Sequence, residues 1–356
     1  MTISSHHNGD FRQTVGIVIP TYNRVTYLRE AVESALGQSH SDIELIVMDD
    51  NSNDGTAEYM ATVADPRVRY HVNGSNVGLA RNIDIGIGLL SEGINWCTVL
   101  CDDDYFDADF IVEALRTVER SGAKAIVHSR IVFVDEEGRM LRTSKPAPAE
   151  ESASEYVKAR AEFDRERYLT GVLFSRQLFG DAGGYPKFRT GMAADDGLVV
   201  AMALRDRLVY SDRGKVFVRI HESAESQALE SLRKHLLSLQ DYRAYCASLA
   251  EACGTMDAKE CGLLAKRAEW HASEMSGRIW LESLRKLLRK GSGAASGEAK
   301  TLFTLGLDRE LLFPLRVKMS SFLGVQLGVC PETVGLYRNI WRQVAKVTKR
   351  IKHAAC

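Results

Sequence analysis

Along its first third the chain alternates two hydrophobic periods. Residues 15–20 (VGIVIP) form a short apolar run closed by Pro20, the pattern of a buried strand. Residues 25–37 then place Leu28, Ala31, Val32, Ala35 and Leu36 on one helical stripe that Gly37 stops. The same reading predicts strands at 43–48, 68–72 and 96–101 and helices at 56–64, 78–91 and 109–121. Short strands at 124–128 and 131–134 lead to a turn at Glu136-Glu137-Gly138. Strands and helices alternating at these spacings predict an α/β fold with a mainly parallel sheet covered on both faces.

The pattern then loosens. Residues 143–160 are rich in Pro, Ala, Ser and charge and read as a loop. Order returns at 168–180, followed by the turn-like GGYP at 183–186, a helix starting near Asp195, and strand-like segments at 208–210 and 215–220. From 226 to 290 the chain is charged, helical in pattern and free of proline. A flexible joint, GSGAASG, spans 291–297, and 301–352 is again helical in pattern. These shifts predict a disordered N-terminus over 1–14, an α/β domain over 15–225 and a helical region over 226–356.

Composition narrows the class. In 356 residues, 45% apolar and 26% charged positions support a sizeable core, and 46 basic against 47 acidic residues argue against a surface built for nucleic acid. Seven cysteines, an odd number with no CxxC pair, fit a reducing compartment. The polar N-terminus has no apolar signal-peptide core, and no run of eighteen apolar residues exists, so a cytoplasmic protein is expected.

In an open α/β sheet, ligands bind at the carboxyl ends of the strands. There the chain places Thr21-Tyr22-Asn23-Arg24, then Asp49-Asp50-Asn51-Ser52, then Asp102-Asp103-Asp104. Turn preference explains any one cluster and explains the three together poorly. The third belongs to five aspartates between 102 and 109, with no Lys or Arg from 82 to 115. Two carboxylates about 5 Å apart repel by roughly 3 kcal/mol at an effective dielectric near 20. A hard divalent ion, Mn²⁺ or Mg²⁺, relieves that repulsion and leaves positions for a phosphate; distant arginines are the other solution. Neither a GxxxxGK[ST] loop nor a strand-to-helix glycine fingerprint is present, since Gly86-x-Gly88 lies inside a helical pattern. Phosphate would then fall to the metal and to Arg81 or Arg24.

VGIVIPTYNR at 15–24, IVMDDNSNDGT at 46–56, NVGLARN at 76–82 and LCDDDYFDADF at 100–110 resemble successive motifs of family 2 of the inverting glycosyltransferases, which have the GT-A fold. GGYPKF, Ala194-Asp195-Asp196 and RIHESAES at 219–226 extend the resemblance over 15–225. It implies that Pro20, Thr21 and Tyr22 line a nucleotide pocket. Asp50 would accept the imide N–H of uracil or thymine, Asp103 would touch the ribose, and Arg81 would assist at the base or phosphates. Asp104 would ligate the metal, with Asp102 and His221 as further ligands. Asp196 would be the general base, with the adjacent Asp195 as its rival. Cys101 stands where the family's Asp-x-Asp-Asp begins with aspartate, although Asp102-x-Asp104 keeps the spacing. The implied activity is metal-dependent transfer, with inversion, of a sugar from a UDP- or dTDP-sugar to a sugar or lipid-linked hydroxyl, as in polysaccharide or glycoconjugate synthesis.

Two other classes fit parts of the pattern. A nucleotidyltransferase of similar sheet type should carry a glycine-rich loop where PTYNR stands. A receiver-like binding module would use Asp49, Asp50 and Asp104 but needs a far shorter chain. Near the C-terminus, Arg338, Arg342, Lys346, Lys349, Arg350 and Lys352 stand against Glu332 alone, with Trp341 among apolar residues at helical spacing. Such a helix suits peripheral contact with an anionic inner membrane face, or docking on its own protein with the charges solvated.

Overall fold

The computed structural model describes residues 13–122, 126–166, 169–220, 229–252 and 258–289, then 302, 304–306, 308, 311 and 313; side chains at 229–231, 258–259 and 284–289 are outside the description. Two compact units divide the chain: Met1–Lys187 with Ala194–Ser223, and Phe188–Ala193 with Ala224–Cys356.

The first unit runs β1 (Val15–Thr21), α1 (Val25–Leu36), β2 (Ile43–Asp49), α2 (Thr56–Met60), β3 (Val68–Val72), α3 (Leu79–Leu89), β4 (Trp96–Val99), β5 (Tyr105–Phe106) and α4 (Phe110–Ser121). It continues through β6 (Ile126–Val134), β7 (Met140–Thr143), β8 (Glu150–Glu151), α5 (Ala153–Ala161), β9 (Val172–Ser175), α6 (Arg176–Asp181), α7 (Ala194–Ala203) and β10 (Leu208–Arg219). These strands form one sheet in the order β3-β2-β1-β4-β9-β6-β10-β5, with β7 and β8 attached to β6 and β10. β3, β2, β1 and β4 are parallel, as are β6 and β10. β9 joins the two parallel groups by pairing antiparallel with both β4 and β6, so the sheet is mixed.

Both faces of β1 are buried, as a parallel strand between helical layers requires. Val15, Ile17 and Ile19 face Leu28, Ala31 and Val32 of α1 and the apolar face of α4 in one core. The alternate positions face α3. There a Cβ on Gly86 would lie 2.5 Å from Val18 Cγ1 and 2.8 Å from Met48 Cγ. Gly86 thus serves close helix–sheet packing, which agrees with its place inside a helical pattern.

Three local expectations change. Residues 143–160 are not a loop, because α5 fills their second half. Its start is a capping box in which the Ser152 hydroxyl accepts from Glu155 N–H and the Glu155 carboxylate accepts from Ser152 N–H. The strands expected at 124–128 and 131–134 are one strand, β6. Helix α2 ends at Met60, short of 64.

In the second unit, α8 (Leu229–Ala252) and α9 (Ala258–Arg289) bury Leu232, Leu236, Leu239 and Cys246 with Leu264, Ala268 and Ala272. Residues 188–193 pack within this unit: Ser238 Oγ donates to Thr190 O at 3.0 Å, and Arg189 N–H donates to Asp241 Oδ2 at 3.0 Å. The joint at 291–297, nearly all of 301–352 and the basic C-terminal stretch lie outside the described residues, as do residues 1–12. No helix among the described residues is long and apolar enough to cross a membrane.

Candidate functional site

The parallel registers bring the carboxyl ends of β2, β1 and β4 side by side. Thr21 pairs with Asp49 across β1 and β2, Asp50 N–H donates to Thr21 O at 2.9 Å, and Leu100 N–H donates to Val18 O at 2.9 Å. The loops after β1 and β2 are stitched together: Asn23 N–H donates to Ser52 Oγ at 2.9 Å and Asn53 N–H to Asn23 Oδ1 at 2.8 Å. Asn23 and Asn51 both take positive φ, a conformation asparagine tolerates. Pro20 and Thr21 are buried, whereas Tyr22 is exposed at this rim.

Asp50 is buried and already serves its own fold. Its Oδ1 accepts from Asn73 Nδ2 at 2.9 Å and Val77 N–H at 2.8 Å, and its Oδ2 accepts from Gly78 N–H at 2.8 Å. The carboxylate thereby fixes the loop that opens α3. With about four lone-pair directions and three donors, it retains one for a ligand N–H. Arg81, exposed on the first turn of α3, makes no ion pair among the described residues.

The acidic loop after β4 divides into two parts. Asp102 turns toward β1, where it accepts from Thr21 Oγ1 at 2.8 Å, from Arg24 Nη1 at 3.3 Å and from Tyr22 N–H. Burial, reinforced by the charge of Asp103, pushes Asp102 up to about 6 against the opposing Arg24. Asp103 and Asp104 instead converge with Cys101, their ligand atoms within 4.8 Å of one another. Asp104 is held at both oxygens: Thr170 Oγ1 donates to Oδ2 at 2.6 Å and Arg219 N–H to Oδ1 at 3.0 Å. Burial and the neighbouring Asp103 raise Asp104 well above the usual carboxylate range.

The cation that local sequence does not supply comes from Arg24, while Arg219 braces the backbone of the loop. Arg24 Nη1 lies 2.6 Å from Asp103 Oδ2. Arg219, with only 3% of its side chain exposed, donates from Nε to Asp103 O at 3.1 Å and from Nη1 to Glu136 O at 2.6 Å, and pairs with Glu30. Its guanidinium carbon lies 5.1 Å from the Tyr27 ring centre and 5.7 Å from that of Tyr105. Arg24 is therefore committed to carboxylates and not left for a phosphate. Asp103 and Asp104 present the oxygen donors a hard divalent ion prefers, and each oxygen of Asp104 has a lone pair to spare. Burial drives the Cys101 thiol upward, so it faces the pair as a neutral, soft neighbour. Asp102, engaged at β1, does not belong to this group.

The two carboxylates at the start of α7 have separate fates. Asp196 is buried and chelated: Arg160 Nε donates to Oδ1 at 2.7 Å, Arg160 Nη2 to Oδ2 at 3.0 Å, and Tyr156 Oη to Oδ1 at 2.5 Å. A bidentate guanidinium from α5 thus engages both oxygens of this carboxylate. Asp195 stays half-buried and accepts from Tyr185 Oη at 2.5 Å and from Leu169 N–H. Burial, with the charge of Asp196, pushes it up to about 6 despite those donors. Leu169 adjoins Thr170, which holds Asp104, so one dipeptide ties Asp195 to the acidic loop. The structure thus engages Asp196 with Arg160 and Tyr156, and Asp195 with Tyr185 and Leu169. His221 lies outside the described residues.

Residues 16–180 match the family model described as Glycosyl transferase family 2. Over that stretch, somewhat less than half of its length, the chain is similar to family 2 glycosyltransferases. An uncharacterised glycosyltransferase of Rickettsia felis is 33% identical over 135 residues, 37% of this chain and 22% of its own. Succinoglycan biosynthesis protein ExoO of Rhizobium meliloti is 34% identical over 128 residues, 36% of each chain. The chain spans between about a fifth and a half of the length of such curated relatives. Among solved structures, Staphylococcus aureus TarS 1-349 in complex with UDP-GlcNAc superposes with a TM-score of 0.59 at 16% identity, covering 94% of this chain and 92% of that one. At that identity the likeness establishes the fold.

Within the first unit, the structure gathers Thr21, Tyr22, Asp50 and Asp102–Asp104 at the carboxyl ends of β1, β2 and β4. Sequence reasoning missed Thr170, Tyr185, Arg160 and Tyr156, and it did not name Arg219. Of these, Tyr185, inside GGYPKF, and Arg219, the first residue of RIHESAES, lay within motifs already read.

Proposed function

We propose that the protein is a metal-dependent inverting glycosyltransferase that moves a sugar from a UDP- or dTDP-sugar to a hydroxyl of a sugar or lipid-linked acceptor. The observation that carries this reading is the Leu169-Thr170 dipeptide, which holds a half-buried carboxylate, Asp195, beside the acidic loop. Asp195 takes the proton of the acceptor hydroxyl as that oxygen attacks the anomeric carbon in line. Asp50 offers its remaining lone pair to the imide N–H of the base, and Thr21 and Tyr22 flank the nucleotide. Asp103 and Asp104 hold Mn²⁺ or Mg²⁺, with Asp104 the principal ligand. When bound, that ion stabilises the charge of the departing diphosphate. Arg81, exposed and outside any described ion pair, faces the phosphates.

Similarity to ExoO and to TarS, a protein crystallised with UDP-GlcNAc, supports polysaccharide or glycoconjugate synthesis from a UDP-sugar. Among the described residues, Cys97, Cys101, Cys246 and Cys261 form no disulfide, which supports a cytoplasmic setting. Calorimetry of UDP with Mn²⁺, and again with excess chelator, tests the donor site; equal affinity in both overturns metal dependence. Transfer assays over a panel of UDP- and dTDP-sugars test the base. Asp195→Asn should lose about 10²–10⁴-fold in kcat, and an active Asp195→Asn beside a dead but folded Asp196→Asn reverses the assignment.

A further inference from the structure

The loop at 183–187 is anchored more firmly than a turn requires. Tyr185 is 3% exposed, and its backbone N–H donates to Asp84 Oδ1 of α3 at 2.8 Å. Lys187 Nζ lies 3.3 Å from Asp84 Oδ2. Gly183 and Gly184 take φ of 88° and 78°, and a Cβ on Gly184 would sit 2.7 Å from Asp84 Oδ1. Only glycine lets the backbone come that close. The result is a phenol fixed at both ends, its backbone on α3 and its hydroxyl on Asp195 Oδ1.

A carboxylate that must accept a proton from one direction benefits from having its plane fixed. Two donors from different segments do that for Asp195: Tyr185 Oη and Leu169 N–H. The other groups acting on this carboxylate are Asp196 on its own helix, Arg160 from α5 and the Cys101 thiol after β4. Tyr185 supplies the one neutral side-chain hydroxyl donor among them. We propose that Tyr185 is the positioning residue of Asp195, and that the Asp84-anchored loop aims this carboxylate at the acceptor hydroxyl. The inference rests on Asp195 being the base.

A hydroxyl donated to a carboxylate also favours its ionised form. Tyr185→Phe removes the donor and keeps the ring, so the fold should survive. Carbon-13 NMR of carboxyl-labelled aspartate in the full chain follows the Asp195 titration, the signal being assigned by its loss in Asp195→Asn. Its midpoint should rise by on the order of one pH unit in Tyr185→Phe. Below both midpoints, transfer from the sugar nucleotide that the wild type uses should fall about tenfold, since the ionised fraction falls tenfold per unit. At high pH the deficit should narrow to the part that misaiming alone leaves, and Mn²⁺-dependent UDP affinity should not change. Asp84→Ala, which frees the loop while keeping the phenol, should shift the titration in the same direction.

An unmoved Asp195 midpoint in Tyr185→Phe overturns the proposal, as does a wild-type rate of transfer below both midpoints. If the midpoint moves but Asp195→Asn still transfers sugar, the base assignment has failed, and the positioning of a catalytic carboxylate fails with it.

Discussion

Replacing Arg160 by methionine separates a structural Asp196 from a catalytic one. The pair is deep: 11% of the Arg160 side chain and 5% of the Asp196 side chain are exposed. Methionine keeps much of the aliphatic volume and removes both hydrogen bonds to Asp196, along with the bond from Arg160 Nη1 to Arg165 O. Breaking one side of a buried pair costs about 3–5 kcal/mol, because a charge remains in low dielectric without its partner. Against a total stability of about 5–15 kcal/mol, that is a large fraction. Urea unfolding followed by circular dichroism at pH 7.5 should show it. The deficit should shrink on lowering the pH, because an orphaned buried carboxyl takes up a proton more readily in the folded state than in the unfolded one, so stability rises as pH falls. The double variant Arg160→Met with Asp196→Leu removes both charges and should recover most of the loss. A deficit below about 1 kcal/mol at pH 7.5, or no recovery in the double variant, refutes the reasoning and returns Asp196 to the candidates for the base.

Other outcomes follow from the same geometry. Asp104→Asn should abolish the Mn²⁺-dependent part of UDP binding with little change in melting temperature; calorimetry with and without chelator reads it. Asp50→Asn turns an amide toward the N–H groups of Asn73, Val77 and Gly78, so it should cost roughly 1–3 kcal/mol in urea unfolding and narrow the preference for UDP over CDP. In α3, Gly86→Ala should destabilise by about 1–2 kcal/mol, the overpacking against Val18 and Met48 exceeding the gain in helix propensity. Gly88→Ala, with nothing within 4 Å of its new Cβ, should instead stabilise by about 0.5–1 kcal/mol, and thermal melts of the pair check the sign.

The parallel half of the sheet was legible because its signals are local. The apolar runs of β1 and β2 and the stripes of α1 and α4 are periodicities within a dozen residues, and the polar clusters at the strand ends follow from them. Helix α5 was hidden by its composition. It buries Ala153, Ser154, Tyr156, Val157 and Ala161, small and mixed residues that draw no clean stripe, and only Ser152-x-x-Glu155 announced it. That omission hid the partner of Asp196 at α7. Adjacent carboxylates on a helix point about 100° apart, so one must face away from the site. Which one does is decided by Arg160, which stands on the unread helix. The partners of the acidic loop were out of reach for another reason. Arg24, Thr170 and Arg219 are brought to it by sheet order, 66 to 115 residues away along the chain, and no window of sequence contains both sides of those contacts.

The grip of Arg219 on the acidic loop also sets when the centre is completed during synthesis. Asp104 leaves the ribosome 115 residues ahead of the backbone amide that holds its Oδ1. At about 5–20 residues per second, that lag is roughly 6–23 s. Over this interval β1, β2, β3 and β4 can pair in order, since each connection among them is short. Residues 102–104, however, stand at the edge of a half-built sheet with Arg24 as their nearby counter-charge. Thr170 arrives with the segment leading into β9, and the last donor arrives when β10 pairs with β6. A nascent chain therefore gains the framework of its nucleotide side well before its acidic loop is fully held. A ribosome stalled before residue 219 would display strands β1–β4 with an acidic loop still lacking its last donor.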